Sequence, residues 1–196
     1  MAAIWIIVII VVLVLLTVVA LYNGLVRSKN RVEEAFSDIT VQMKRRFDLI
    51  PNLIETVKGY AAHEKETLEG VVQARAQATG IQVTPETLKD PAAFEQFQKA
   101  QAGLTSALGR LIAIAENYPN LKADQNFRDL QSQLEGTENR IAVARKRYIE
   151  KVAEFNKAVR YFPTSLTAKY LLHLEAKPNF TVADEKAVGK PPEVKF

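Results

Sequence analysis

The hydrophobic positions change regime at Val26. Before it the apolar residues run almost without pause, interrupted only by Thr17, Asn23 and Gly24, and no charge occurs. After it they recur every three or four residues among all 26 Lys and Arg and all 22 Asp and Glu. An uncharged run longer than about 18 residues predicts a transmembrane helix. At about 1.5 Å per residue, Ala3 to Leu21 spans the roughly 30 Å hydrocarbon layer. Trp5 and Tyr22 stand near its two ends, where amphipathic rings favour the membrane interface. The competing reading is a signal peptide cleaved after Val18-Val19-Ala20. That reading lacks a basic leading region, and the apolar run exceeds the usual length of about 7–15 residues.

Beyond Val26 the period is helical. Val32, Phe36, Ile39, Met43, Phe47, Ile50, Ile54, Val57, Ala61, Leu68 and Val71 form one stripe, which predicts a helix from Ser28 to near Gly80, a residue suited to a helix stop. Asp90-Pro91 then offers an N-cap followed by proline at the first helical position. From there Phe94, Phe97, Gln101, Leu104, Leu108, Leu111, Ala115 and Tyr118 continue to Pro119. A third helix, from about Asp124 to Phe162, carries Phe127, Leu130, Leu134, Thr137, Ile141, Ala144, Tyr148, Val152, Phe155, Val159 and Phe162 until Pro163. Thr84-Pro85-Glu86 predicts one turn of helix and Ser165 to Leu172 a short fourth helix. The class is all-α: a transmembrane helix continuing into an elongated antiparallel bundle of three long helices plus a short C-terminal one. Residues 1–26 form the anchor, 27–172 the bundle, and 173–196 an extended or partly disordered tail with prolines at 178, 191 and 192. Asn23-Gly24 is the weak point of the rod, since glycine costs about 1 kcal/mol inside a helix.

Composition narrows the chemistry. No second uncharged run follows Val26, which excludes a multi-span transporter. Zero Cys removes disulfides, thiolate metal sites and a thiol nucleophile. Arg27, Lys29 and Arg31 follow the apolar run and nothing basic but the amino terminus precedes it. The positive-inside rule therefore places the body in the cytoplasm, with these three residues near lipid headgroups. His63 and His173 are the only histidines, His63-Glu64 lacks the second His of a zinc-protease helix, and no Glu-x-x-His pair occurs, so no metal or cofactor is expected. Lys44-Arg45-Arg46 and Arg145-Lys146-Arg147 are interleaved with acidic residues, as on a solvated helix face, and no nucleic-acid partner is expected. No phosphate loop or serine elbow points to a small-molecule substrate.

The sharpest local feature is Arg45 to Asn52. Pro51 lies inside the stripe, where it removes a backbone hydrogen bond and crowds the carbonyl of Phe47. The stripe keeps its phase, which predicts a kinked but continuous helix. Either the kink bends the helix around its neighbours, or it offers a carbonyl and the Arg45, Arg46, Asp48 and Asn52 face to a partner. Arg46 falls on the apolar line, and a buried guanidinium needs partners, for which Glu116, Glu135 and Glu138 are candidates.

Arg31-Val32-Glu33-Glu34-Ala35-Phe36, Arg45-Arg46-Phe47-Asp48-Leu49-Ile50-Pro51-Asn52-Leu53 and Val57-Lys58-Gly59-Tyr60 resemble the LemA family. Tyr22-Asn23 with Leu25-Val26, Tyr118-Pro119 with Leu121-Lys122-Ala123, Asn139-Arg140-Ile141, Tyr148 and Phe162-Pro163 extend the resemblance almost end to end. It implies a bacterial inner-membrane protein with one N-terminal span and an antiparallel helical bundle. It implies no established activity, only an association with membrane-protein quality control. The expected function is a non-enzymatic, membrane-anchored scaffold or adaptor for other membrane proteins. The alternatives are self-assembly into a membrane-shaping homo-oligomer, and an enzyme using carboxylates such as Glu33, Glu34 or Asp48.

Overall fold

The computed structural model describes residues 1–82 and 84–180. Six α-helices lie among them: α1 (Ala2–Tyr60), α2 (Lys65–Gly80), α3 (Pro91–Ala115), α4 (Pro119–Ala123), α5 (Gln125–Arg160) and α6 (Thr164–Tyr170), with one 3-10 turn at Pro85–Leu88. The predicted all-α class holds. α1 passes from the apolar segment into the bundle without a break at Asn23-Gly24. Its 59 residues make a rod of roughly 88 Å at about 1.5 Å each.

The first periodic segment is two helices where one was expected. The chain leaves α1 at Ala61, whose N–H still bonds the Val57 carbonyl at 2.8 Å, and re-enters helix at Lys65. Ala61, Leu68, Val71 and Ala78 join the cluster of Ile50, Leu53 and Val57. A straight continuation would carry Leu68, Val71 and Ala78 past the end of the bundle into water, and the reversal buries them. The stripe could not show this, because seven residues from Ala61 to Leu68 fit two helical turns as well as a tight connection. Gly80 closes α2 from inside the helix and does not adopt positive φ.

The starts of α3 and α5 follow local chemistry. Asp90 accepts from the Ala92 N–H at 2.9 Å with Pro91 at the first position of α3, and Asp124 caps α5 through the Phe127 N–H at 2.9 Å. Phe36 meets Tyr148, Arg46 meets Glu138 and Tyr60 meets Asp124, so α1 and α5 run in opposite directions with equal steps. α2 returns along α1, with Arg75 at Phe47, and α3 runs parallel to α1, with Phe97 at Phe36 and Gln101 at Arg46. The lower part of α1 with α2, α3 and α5 is thus an up-down-up-down four-helix bundle.

Its core has two halves. The half nearer the apolar segment is aromatic, with Phe36, Phe94, Phe97, Tyr148 and Phe155 around Val32, Ile39, Met43 and Leu88. The far half is aliphatic, with Leu53, Val57, Leu104, Leu108, Leu111, Leu121 and Leu134 at its centre. Beyond α6, Lys177 is buried and Phe180 packs on Phe94 and Tyr148 at centroid distances of 5.1 and 5.5 Å. The part of the tail from 181 onward lies outside the described residues.

Candidate functional site

Arg46 stands at the boundary between the two core halves, fully enclosed. On α1 it follows Met43 of the aromatic half and precedes Ile50 of the aliphatic one. Gln101 takes the same place on α3 between Phe97 and Leu104, and Thr137 and Glu138 on α5 between Ile141 and Leu134. Arg46 Nη1 donates to Glu138 Oε1 at 2.6 Å and to Thr105 Oγ1 at 3.0 Å, and Nη2 donates to Gln101 Oε1. Of the three candidate partners for Arg46, Glu138 is the one engaged. A charge in this position is tolerable only because several acceptors converge on it, and its geometry is satisfied in a single register of the helices.

The layer is not fully saturated. Arg46 Nε, Arg145 Nε and Gln42 Oε1 are buried without a partner among the described residues. Arg145 lies about two turns beyond Glu138 on α5, with its guanidinium 5.1 Å from the Phe180 ring centre. Burial, and secondarily the Arg46 charge, push its pKa below the ordinary arginine value, while Glu138 acts in the opposite direction.

Pro51 is accommodated from within. Having no N–H, it leaves the Phe47 carbonyl without its helical donor. Arg75 Nε of α2 donates to that oxygen at 3.0 Å. The helix continues through Pro51, and the carbonyl that the sequence left open to a partner is occupied by the chain's own α2. Arg45, Asp48, Pro51 and Asn52 face outward, and Asn52 accepts from Thr56 Oγ1 at 2.9 Å through its backbone carbonyl.

The end towards the apolar segment holds the other sequence candidates. Trp5, Tyr22, Arg27 and Arg31 are exposed, and Lys29 is half-buried beside Glu33 at 3.8 Å. Glu33 also faces Lys177 at 3.9 Å. Burial lowers the pKa of that ammonium, and Glu33 opposes the shift. The segment carrying Lys177 is pinned by a reciprocal pair, Lys177 N–H to Asn156 Oδ1 at 2.8 Å and Asn156 Nδ2 to the Lys177 carbonyl at 3.0 Å. Tyr148 adds a bond from its hydroxyl to the Pro178 carbonyl at 3.0 Å, and burial raises the pKa of that phenol. Sequence reasoning missed Gln101, Thr105, Lys177 and Phe180 as members of these clusters. Gln101 carried the one available signal, a polar residue on an otherwise apolar stripe.

Glu34 and Asp48 are exposed, and Glu33 is committed to lysines. Among the described residues no three His, Asp or Glu side chains converge as metal ligands would. The chemistry assembled here is that of a locked helical register below a long apolar helical segment. The family model described as the LemA family matches residues 35–196. The chain belongs to the LemA family. Magnetosome protein MamQ of Magnetospirillum gryphiswaldense is 26% identical over 195 residues, covering 90% of this chain and 69% of the relative. Protein LemA of Metamycoplasma hominis is 27% identical over 152 residues, covering 76% of this chain and 64% of the relative. Magnetosome protein MamQ 2 of Paramagnetospirillum magneticum is 25% identical over 192 residues, covering 90% and 69%. The LemA match includes Arg46, Pro51, Arg75 and Glu138, and so contains the whole locked layer. Ahead of it, this LemA-family chain has the one described helix long and apolar enough to cross a membrane, with its apolar window unburied by protein. The chain is accordingly a member of the LemA family with one candidate membrane span among its described residues.

Proposed function

We propose that the protein is a non-enzymatic scaffold or adaptor that holds a helical bundle at a fixed attitude to the inner membrane and presents its faces to other membrane proteins. The observation that carries this reading is the continuity of α1, which serves as both the membrane span and a core helix of the bundle. A helix shared in this way transmits orientation, because tilting the bundle requires bending a hydrogen-bonded rod or breaking its core contacts. The locked Arg46 layer and the Arg75 bond to Phe47 add to the stiffness at the level where Pro51 would otherwise weaken it.

The body lies on the cytoplasmic side in this reading. Arg27 and Arg31 on α1 support it, and Lys157 and Arg160 in the last turn of α5 bring further positive charge to the same end. Photo-crosslinkers placed on exposed bundle positions in intact membranes test the proposal. Reproducible adducts with the same membrane protein are expected, and the absence of adducts from every face overturns it. Adducts only between copies of this chain would transfer the function to the second reading, lateral self-assembly. That reading is favoured by exposed Val41 and Val143 and by a groove lined by Asp38, Val143, Arg140 and Arg147, a mixture of apolar and oppositely charged groups that a second copy can complement.

A further inference from the structure

The third stripe predicts a buried Phe162, yet this side chain is 79% exposed. It begins a cluster: Tyr161, Phe162, Leu166, Tyr170 and Leu171 all point away from protein within the corner that joins α5 to α6 and the turn after it. The other face of α6, through Thr167 and Ala168, is buried. The corner is therefore docked on one side and apolar on the other.

Its position decides what the apolar side meets. Equal steps along the antiparallel pair bring Lys157 level with Arg27 and Phe162 level with Tyr22, continuing the register set by Phe36 and Tyr148. Phe162, Pro163, Leu166 and Thr167 form one wall of a groove of about 500 Å³ whose other wall is Ile10, Leu13, Val14, Thr17, Val18 and Leu21 of α1. Those α1 residues belong to the stretch whose length matches the hydrocarbon layer. Tyr161 and Tyr170 have the amphipathic rings suited to the headgroup boundary, and Arg160 and Lys169 bring cations to the same rim.

We propose that the α5–α6 corner is a second membrane anchor, inserted into the same leaflet as the end of the span, and that the groove between corner and span holds a lipid acyl chain. Lipid is the occupant because one wall of the groove is the span itself, so whatever surrounds the span fills the groove. This inference rests on the span and not on the scaffold reading. A chain held by a span and by an interfacial foot resists tilting, because tilting would lift the foot out of the leaflet, and this gives the bundle a defined attitude to the bilayer.

The chain has no cysteine, so single-cysteine variants of the whole 196-residue chain can carry a nitroxide label without background. Leu166→Cys and Leu171→Cys report on the corner, Leu13→Cys on the span and Val72→Cys, on an exposed face of α2, on water. The proteins are placed in phosphatidylethanolamine–phosphatidylglycerol vesicles, and collision rates with oxygen and with a water-soluble nickel chelate are compared. The oxygen-to-nickel ratio at 166 is expected to match that at 13 and to exceed that at 72 severalfold. A ratio at 166 and 171 equal to that at 72, with 13 still lipid-like, overturns the anchor while leaving the span intact. Labels at 166 shielded from both reagents overturn it in favour of a second protein chain in the groove. A water-like result at 13 removes the span and the anchor together.

Discussion

The two halves of the bundle core use different materials. The membrane-proximal half is a contact network of rings, in which Phe36 meets Phe94, Phe97 and Tyr148 at 5.5–6.1 Å and Phe180 closes over Phe94. The distal half is leucine, isoleucine, valine and alanine, with Phe127 its one buried ring among the described residues. Rings fill wide spaces and add about 0.5–1.5 kcal/mol per pair beyond area burial, which suits the level where an extended segment must also be held against the helices. Small aliphatic side chains let α2 and α3 pack closely beside the last turns of α1. The difference teaches that one bundle is filled in two ways, with ring contacts beside the apolar segment, aliphatic packing at the far end and the Arg46 layer as the joint between the two materials.

The most severe way to break the proximal half is Phe94→Ala. It empties the centre of the ring cluster and is expected to lower stability by about 3–5 kcal/mol, read by urea unfolding in mild detergent. The same substitution type at Leu108 in the distal half is expected to fall at the lower end of the leucine range, about 2–3 kcal/mol, since aliphatic neighbours can close in. Equal losses at both positions would remove the distinction between the halves.

The joint itself comes next. Glu138→Ala leaves Arg46 with Gln101 and Thr105 alone and should cost about 2–3 kcal/mol, less than for a sealed pair because the Glu138 side chain is 34% exposed. Arg46→Met combined with Glu138→Leu removes both charges and is expected to remain within about 1 kcal/mol of the parent or to exceed it. Its cost should appear instead as faster amide exchange around residues 101 and 138, where the helices lose their fixed register. An unaltered exchange pattern would show that the charged layer does not set register.

A smaller effect isolates the distal half. Arg75→Met strips the donor from the Phe47 carbonyl and should destabilise by about 1–2 kcal/mol, with enhanced exchange confined to the turns around Pro51. The smallest effect is a pH dependence at the distal tip. The Phe127 N–H, and after it the Tyr60 hydroxyl, hold the Asp124 carboxyl below its ordinary value of 3.8. A depressed folded-state pKa contributes stability that is present above the ordinary value and lost as pH falls through the folded one. Acidification below 3.8 is therefore expected to fray the first turn of α5 before the proximal half responds. Asp124→Asn should weaken that response, as followed by amide exchange at residues 125–128.

Much of this architecture was legible in order. Asp90-Pro91 and Asp124 marked helix starts because capping is local chemistry, and Arg46 declared itself by sitting on an apolar line. Three features were illegible for a shared reason. The end of α1 at Tyr60, the exposure of Phe162 and the capture of Phe180 depend on what lies opposite in space, which periodicity does not encode. Phe162 keeps the spacing of a buried residue but lies level with the span, beyond the bundle core.

By itself the sequence determined the single apolar span, the all-α class and the buried arginine, because each follows from hydrophobic length, period or the cost of enclosing a charge. Tertiary structure alone decided that α2 folds back, that Glu138 is the partner, that Arg75 occupies the carbonyl freed by Pro51, and that the α5–α6 corner meets the span. Those outcomes are pairings between residues tens of positions apart, and a partner's identity is set by geometry after the helices have packed.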